Sequence, residues 1–235
     1  MLCLVAAVGL STCSDDDSPA ESDDGSPAGH TILTVAELQP LAERLADGYN
    51  DENPDGEVGV SVGSRRDVVR AAGAGGAIVP AIWLGADGPP VTPVGRTLAV
   101  IVVPAGNPAQ VGGIDAFAAG ATGNTQACGA DSPFGNFATL VIRLGGREPD
   151  LGRVGTDCAP DAVGRVAEGQ LDAALVFRDD AAPLPPGVET VAVPEDQNLI
   201  IDVAYAPPGG RRTAFAEWLG SDAARQILTE VGYLP

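Results

Sequence analysis

The run LAVIVVP at residues 98–104 contains no polar side chain, and four of its seven residues, Val100 to Val103, are β-branched. A continuous apolar run of this kind fits a strand covered on both faces, in the middle of a sheet. Strand-type and helix-type patterns alternate outward from it in both directions. Upstream, ILTV (32–35) is a short β-type run, and Leu38, Leu41, Leu45 and Tyr49 mark one face of a helix. Pro40 is tolerated there because it falls in the first turn. VGVSV (58–62) predicts a strand and residues 64–72 a second helix. Residues 73–95 are rich in Gly and Pro around IVPAIWLGAD (78–87), which reads as a buried segment followed by a loop. Downstream, the pattern predicts helices over 114–120, 134–145 and 159–170, and strands over 124–128, 153–156 and 172–177. Two further strands lie in ETVAVP (189–194) and NLIIDVAYA (198–206), and two helical stretches over 211–231 break near Gly220 and Ser221. Strands alternating with helices argue for an α/β fold with largely parallel sheets.

The N-terminal region points to export. Residues 1–12 carry no charge and are mostly Leu, Val and Ala, a stretch too short to span a bilayer but suited to a signal-peptide core. Leu-Ser-Thr-Cys at 10–13 resembles a bacterial lipobox, which makes Cys13 the expected lipidation site. The plainer reading is a secretory signal with an incidental cysteine, and both place the protein outside the cytoplasm. Residues 14–29 (SDDDSPAESDDGSPAG) cannot bury apolar surface and read as a disordered acidic tether that runs to residue 30. Its six acids account for part of the net charge of −19 and leave the folded region at about −13. Such a surface repels nucleic acid and anionic lipid headgroups. All thirteen basic residues are Arg.

Of the four cysteines, Cys128 and Cys158 fall in the folded body. In an oxidising compartment they form a disulfide, closing a loop of 30 residues worth about 3 kcal/mol, or else stand as two separate buried thiols. One histidine, His30, and no CxxC spacing argue against a metal site. An enzyme is the weakest class: no second His can join a Ser or Cys nucleophile, there is no P-loop, and GAGG (73–76) follows a helix rather than a strand. Nothing calls for a cofactor.

Four stretches in register resemble one family, the molybdate-type solute-binding proteins of ABC importers. GRTLAVIVVPAGNP (95–108) is similar to the family's strand that crosses between lobes. SPFGNFATLVIRLGG (132–146) is similar to one of its helix starts. VAEGQLDAALVFRDDA (166–181) is similar to its Gly-Glu-x-Asp-Ala-Gly-Ile-Val-Tyr-x-x-Asp-Ala segment, and FAEWLGSDAARQILTEVGYLP (215–235) to its C-terminal ending. The resemblance implies a two-lobed periplasmic-binding-protein type II fold hinged on two crossover strands. Lobe one would be residues 31–104 plus 201–235, and lobe two 105–200. It also implies a monomeric receptor that takes a small solute, an oxyanion such as molybdate or tungstate, in the interlobe cleft and delivers it to an ABC permease. The alternative is a surface lipoprotein of the same fold that has lost oxyanion binding and recognises another solute or a protein partner.

The family binds its oxyanion through hydroxyls and backbone N–H groups at helix starts, where unpaired donors and the helix dipole favour negative charge. The matching positions here are Glu37, Ser64, Arg65, Phe134, Gly135, Ala159 and Phe177. Phe134, Gly135 and Ala159 would contribute backbone donors. Ser64 can supply a hydroxyl and a helix cap. Arg65, or its neighbour Arg66, either binds the ligand, neutralises Glu37, or forms a solvated pair. Two positions depart from the family. Glu37 replaces a serine, and either points into the site, where it would repel an anion, or turns to solvent as an acid of the first helical turn. Phe177 replaces a tyrosine and removes a hydroxyl donor.

Overall fold

A computed structural model describes residues 30–119, 124–127, 137–148 and 160–235. The first segment runs β1 (His30–Thr34), a 3-10 turn at Ala36–Leu38, α1 (Gln39–Glu52), β2 (Val58–Val62), α2 (Arg65–Ala74), β3 (Ala77–Pro80) and β4 (Thr92–Pro104). Leu41, Ala42, Leu45, Ala46 and Tyr49 form the buried face of α1, the i, i+4 stripe expected from the sequence. The amide of Asn50 bonds both the N–H and the C=O of Val58, at 2.8 and 3.0 Å, and so fixes the entry to β2. At the end of α2, Gly75 has φ +93°, and a Cβ there would lie 2.2 Å from the Pro208 backbone, so glycine is required.

The remaining elements are α3 (Ile114–Ala118), β5 (Thr125–Ala127), α4 (Phe137–Leu144), α5 (Pro160–Ala167), β6 (Ala173–Phe177), β7 (Val188–Ala192), β8 (Ile200–Ala206), α6 (Ala214–Trp218) and α7 (Asp222–Glu230). Ser221 caps α7 at the expected break. The expected strand at 153–156 lies outside the described residues, as do Cys13, Cys128 and Cys158.

The strands form one mixed sheet in the order β2-β1-β3-β8-β4-β6-β5, with β7 also paired to β4. This corrects the expectation of largely parallel pairing. Pairs β1–β2, β1–β3 and β5–β6 are parallel, but β3–β8, β4–β6, β4–β7 and β4–β8 are antiparallel. The reason is the central position of β4, whose neighbours β6, β7 and β8 all run back against it. β4 also starts six residues earlier than LAVIVVP. Pro93 and Gly95 disguise its first half, because they occupy a β-bulge rather than a loop. Gly95 is needed there: a Cβ would come within 3.0 Å of both the Leu228 side chain and the Leu234 carbonyl.

Two separate hydrophobic cores flank this sheet. One gathers β1, α1, α2, β3, α6 and α7 with Val94, Val203 and Tyr205. The other gathers Ala99–Val103, α3, α4, α5, β6 and Ile201. The chain therefore passes from the first core to the second within β4 and returns within β8. β8 pairs with Thr92–Leu98 and β7 with Val100–Pro104, on the same edge of β4, because β6 holds the other edge. The side chain of Asn198 closes the gap between β7 and β8. It accepts from Ala99 N at 2.9 Å and donates to Ala99 O at 3.0 Å and to Val193 O at 3.2 Å, all in buried surroundings. Asn198→Ala strands both backbone groups of Ala99 at this crossing, and is expected to destabilise the protein by about 2–3 kcal/mol in urea unfolding.

Candidate functional site

Because β1, β2 and β3 are parallel, their C-terminal ends lie in one row. The row consists of the turn Val35–Leu38 with Glu37, the Gly63-Ser64-Arg65 junction, and the 3-10 turn Ala81–Trp83. β4 runs parallel to β3, since both are antiparallel to β8, and carries on past this row into the second core. β6 returns antiparallel to β4, and Arg178 N donates to Leu98 O. The exit of β6, residues 178–182, thus arrives level with the row of strand ends. Topology alone brings pieces of both cores to one level of the sheet, beyond the carboxyl ends of β1, β2 and β3, where α/β sheets bind ligands.

At that exit Asp179 accepts hydrogen bonds from Tyr233 Oη at 2.8 Å and from Thr97 Oγ1. Thr97 is fully buried on the crossover strand and Tyr233 belongs to the tail packed in the first core. Asp179 therefore ties β6 to the other half of the molecule. Burial pushes its carboxyl up, while the two hydroxyl donors pull it down. Asp180, beside it, is raised to about 7. Burial is the largest cause. The like charges of Asp179 and of Glu37 add to it, against a backbone hydrogen bond at Phe177. The phenol of Tyr233 is raised by burial and by the same two aspartates.

Among the expected site residues, Glu37 is exposed and stands close enough to Asp180 to act on its proton. Ser64 caps α2, its Oγ accepting from Asp67 N at 3.3 Å and donating to the Asp67 carboxylate at 2.5 Å. Its hydroxyl proton is thus already committed, and that bond is the largest cause holding Asp67 below the usual carboxylate range. Arg65 lays its guanidinium 4.7 Å from the centre of the Trp83 ring, a cation–π contact. Phe177 is buried and stacks on Phe137 with ring centroids 3.8 Å apart, inside the second core. Phe134, Gly135 and Ala159 lie outside the described residues.

Sequence reasoning did not single out Asp179, Asp180 or Trp83. The first two sit inside a stretch already quoted, Phe-Arg-Asp-Asp-Ala. Their weight comes from where the exit of β6 lands, which no local pattern encodes.

The raised Asp180 sets a pH dependence. Folded, it keeps its proton up to about pH 7; unfolded, it releases it near 3.8. Between these values the folded state binds more protons, so its contribution to stability falls as pH rises from about 4 to about 7 and is level above. Asp180→Asn is expected to stabilise the protein above pH 7, by at most about 4 kcal/mol, and to change little at pH 4. Urea unfolding at both pH values checks it.

Comparison with solved structures gives the same architecture. The substrate-binding domain of a putative molybdenum ABC transporter from Clostridium difficile matches with a TM-score of 0.68 at 16% identity, covering 88% of this chain and 98% of that one. Peb3 from Campylobacter jejuni matches with a TM-score of 0.58 at 14% identity, covering 88% and 99%. A putative LysR-family transcriptional regulator from Pseudomonas aeruginosa matches with a TM-score of 0.64 at 15% identity, covering 88% and 77%. At these identities the likeness is one of fold alone, and the fold serves transport and regulation alike. Comparison with curated proteins gives no significant match. The family model described as bacterial extracellular solute-binding protein matches residues 31–234. This chain belongs to the bacterial extracellular solute-binding proteins.

Proposed function

We propose that this protein is the solute receptor of an ABC importer, tethered through a lipid on Cys13. It carries a small solute to a permease in the gap between two hinged lobes, residues 31–104 with 201–235 and residues 105–200. The observation that carries this reading is the convergence of three parallel strand ends from one core and the β6 exit from the other, across a junction made by only two strands. Two cores joined in this way suit a hinge that closes over a ligand. The gap offers charge and hydrogen bonding to a solute.

Two classes of cargo fit. An oxyanion such as molybdate or tungstate is favoured by the four sequence motifs, by the helix starts at the gap, and by neighbours described as part of a molybdenum transporter and as bound to L-phospholactate. A solute with a cationic group is favoured by the carboxyl groups of Glu37 and Asp180, the first of which helps to raise the second.

Thermal melting with molybdate, tungstate, sulfate, phosphate, L-phospholactate, ethanolamine and putrescine separates the two. A true cargo present at a hundredfold its Kd is expected to raise Tm by about 5–10 °C. Glu37→Ser then acts in opposite directions: it strengthens oxyanion binding about tenfold, and weakens a cationic solute by a similar factor. A melt unmoved by every solute overturns the transport reading in favour of a surface lipoprotein that recognises a protein partner.

A further inference from the structure

A cavity of about 370 Å³, whose lining includes none of Glu37, Ser64, Arg65 and Asp180, opens against the first-core halves of β4 and β8. Its floor includes Ala81, Pro93 and Ala204, with Val91 at its side. Val94, Gly95, Val203 and Pro235 also line it, together with two charged side chains, Arg96 and Asp202, both exposed. They are directly opposed in the β4–β8 ladder, so their side chains leave the same face of the sheet.

That placement is built by the bulge. In a regular strand Pro93 and Arg96, three residues apart, would point to opposite faces. The extra residue between Pro93 and Gly95 turns both to one side: Pro93 opposes Ala204, and Arg96 opposes Asp202. The backbone of Arg96 is held on its other edge as well, exchanging both hydrogen bonds with Leu234 at 2.8 Å. A cation and an anion are therefore presented from a fixed backbone, side by side over an apolar floor. Among the described residues neither makes an ion pair, although they face one another across the ladder.

We propose that this cavity is a second small-molecule site, and that it takes a zwitterion with an aliphatic body, of the α-amino-acid class. Its carboxylate meets Arg96, whose planar fork suits a bidentate carboxylate contact. Its ammonium meets Asp202, and its hydrocarbon part covers Ala81, Pro93 and Ala204. A purely anionic or purely cationic solute satisfies one wall and leaves the other's charge unmatched. β4 and β8 are the strands that pass between the two cores, and an occupant here lies against their first-core halves.

Titration calorimetry of the full chain with L-leucine tests the site, alongside leucinamide, which lacks the carboxylate, and 4-methylpentanoate, which lacks the ammonium. Saturable binding of L-leucine is expected, with each truncated probe weaker by about tenfold or more. Arg96→Gln and Asp202→Asn should each weaken L-leucine by a similar factor, and Ala204→Trp, which fills the cavity, should abolish binding. Amide NMR shifts should centre on Gly95, Arg96 and Ala204. Absence of saturable binding overturns the proposal. So does binding that all three variants leave unchanged, or shifts centred on Glu37 and Asp180. Failure of the anion and cation panel at the gap leaves this experiment intact, because Arg96 and Asp202 are not among the residues proposed to hold that cargo.

Discussion

One strand serves two cores, and the rest of the molecule is arranged around that constraint. β4 contributes Val94 to the first core and Ala99–Val103 to the second. A strand shared in this way must change partners where it crosses, and each change leaves backbone groups to be satisfied. Asn198 meets that need with a side-chain amide that imitates a strand neighbour of Ala99. On the other edge, Arg178 takes the Leu98 carbonyl and Leu234 the groups of Arg96. The junction is therefore continuous in hydrogen bonds although it is only two strands wide. A connection that is narrow but fully bonded can bend without breaking, which is the mechanical requirement of a hinge.

The electrostatics at the gap follow from the same junction. Asp179 is fixed by Thr97 and Tyr233, so the chain has little freedom to carry Asp180 away from the first core. Burial, together with the like charges of Asp179 and Glu37, raises Asp180 to about 7. The two cations nearest in sequence to the row of strand ends do not cancel this charge. Arg65 rests on Trp83, and Arg66 is exposed beside the α2 cap. The charge balance of the gap is thus set by residues from both halves.

Much of the architecture was legible in the sequence, because local pattern and tertiary role agree there. LAVIVVP is central, the stripe on α1 is buried, and Gly220-Ser221 does separate two helices. Where the reading fell short, the missing information was non-local. Pro93 and Gly95 signal a loop by composition, and only the partner strand and the tail reveal a bulge. Strand direction is likewise a property of the partner, so alternation suggested parallel pairing where β4 imposes antiparallel. The cap at Ser64 is legible in the sequence, but its hydroxyl proton goes to Asp67, a detail that the cap signal does not carry. Glu37 was open to two readings; it is exposed and yet acts on Asp180, which combines features of both. Phe177 lacks the hydroxyl of the matching family position, and its buried ring packs on Phe137 in the second core.

The two tryptophans are placed very differently, and this gives the molecule optical labels of its own. Trp218 is enclosed by Tyr49 and Phe215, with its indole N–H donating to Glu52 at 2.9 Å. Trp83 is half-exposed at the row of strand ends, beneath a guanidinium. Emission from the first reports the integrity of one interior. Emission from the second responds to whatever displaces Arg65 or shields the indole from water. Collisional quenching by iodide or acrylamide therefore separates the two signals without any added dye.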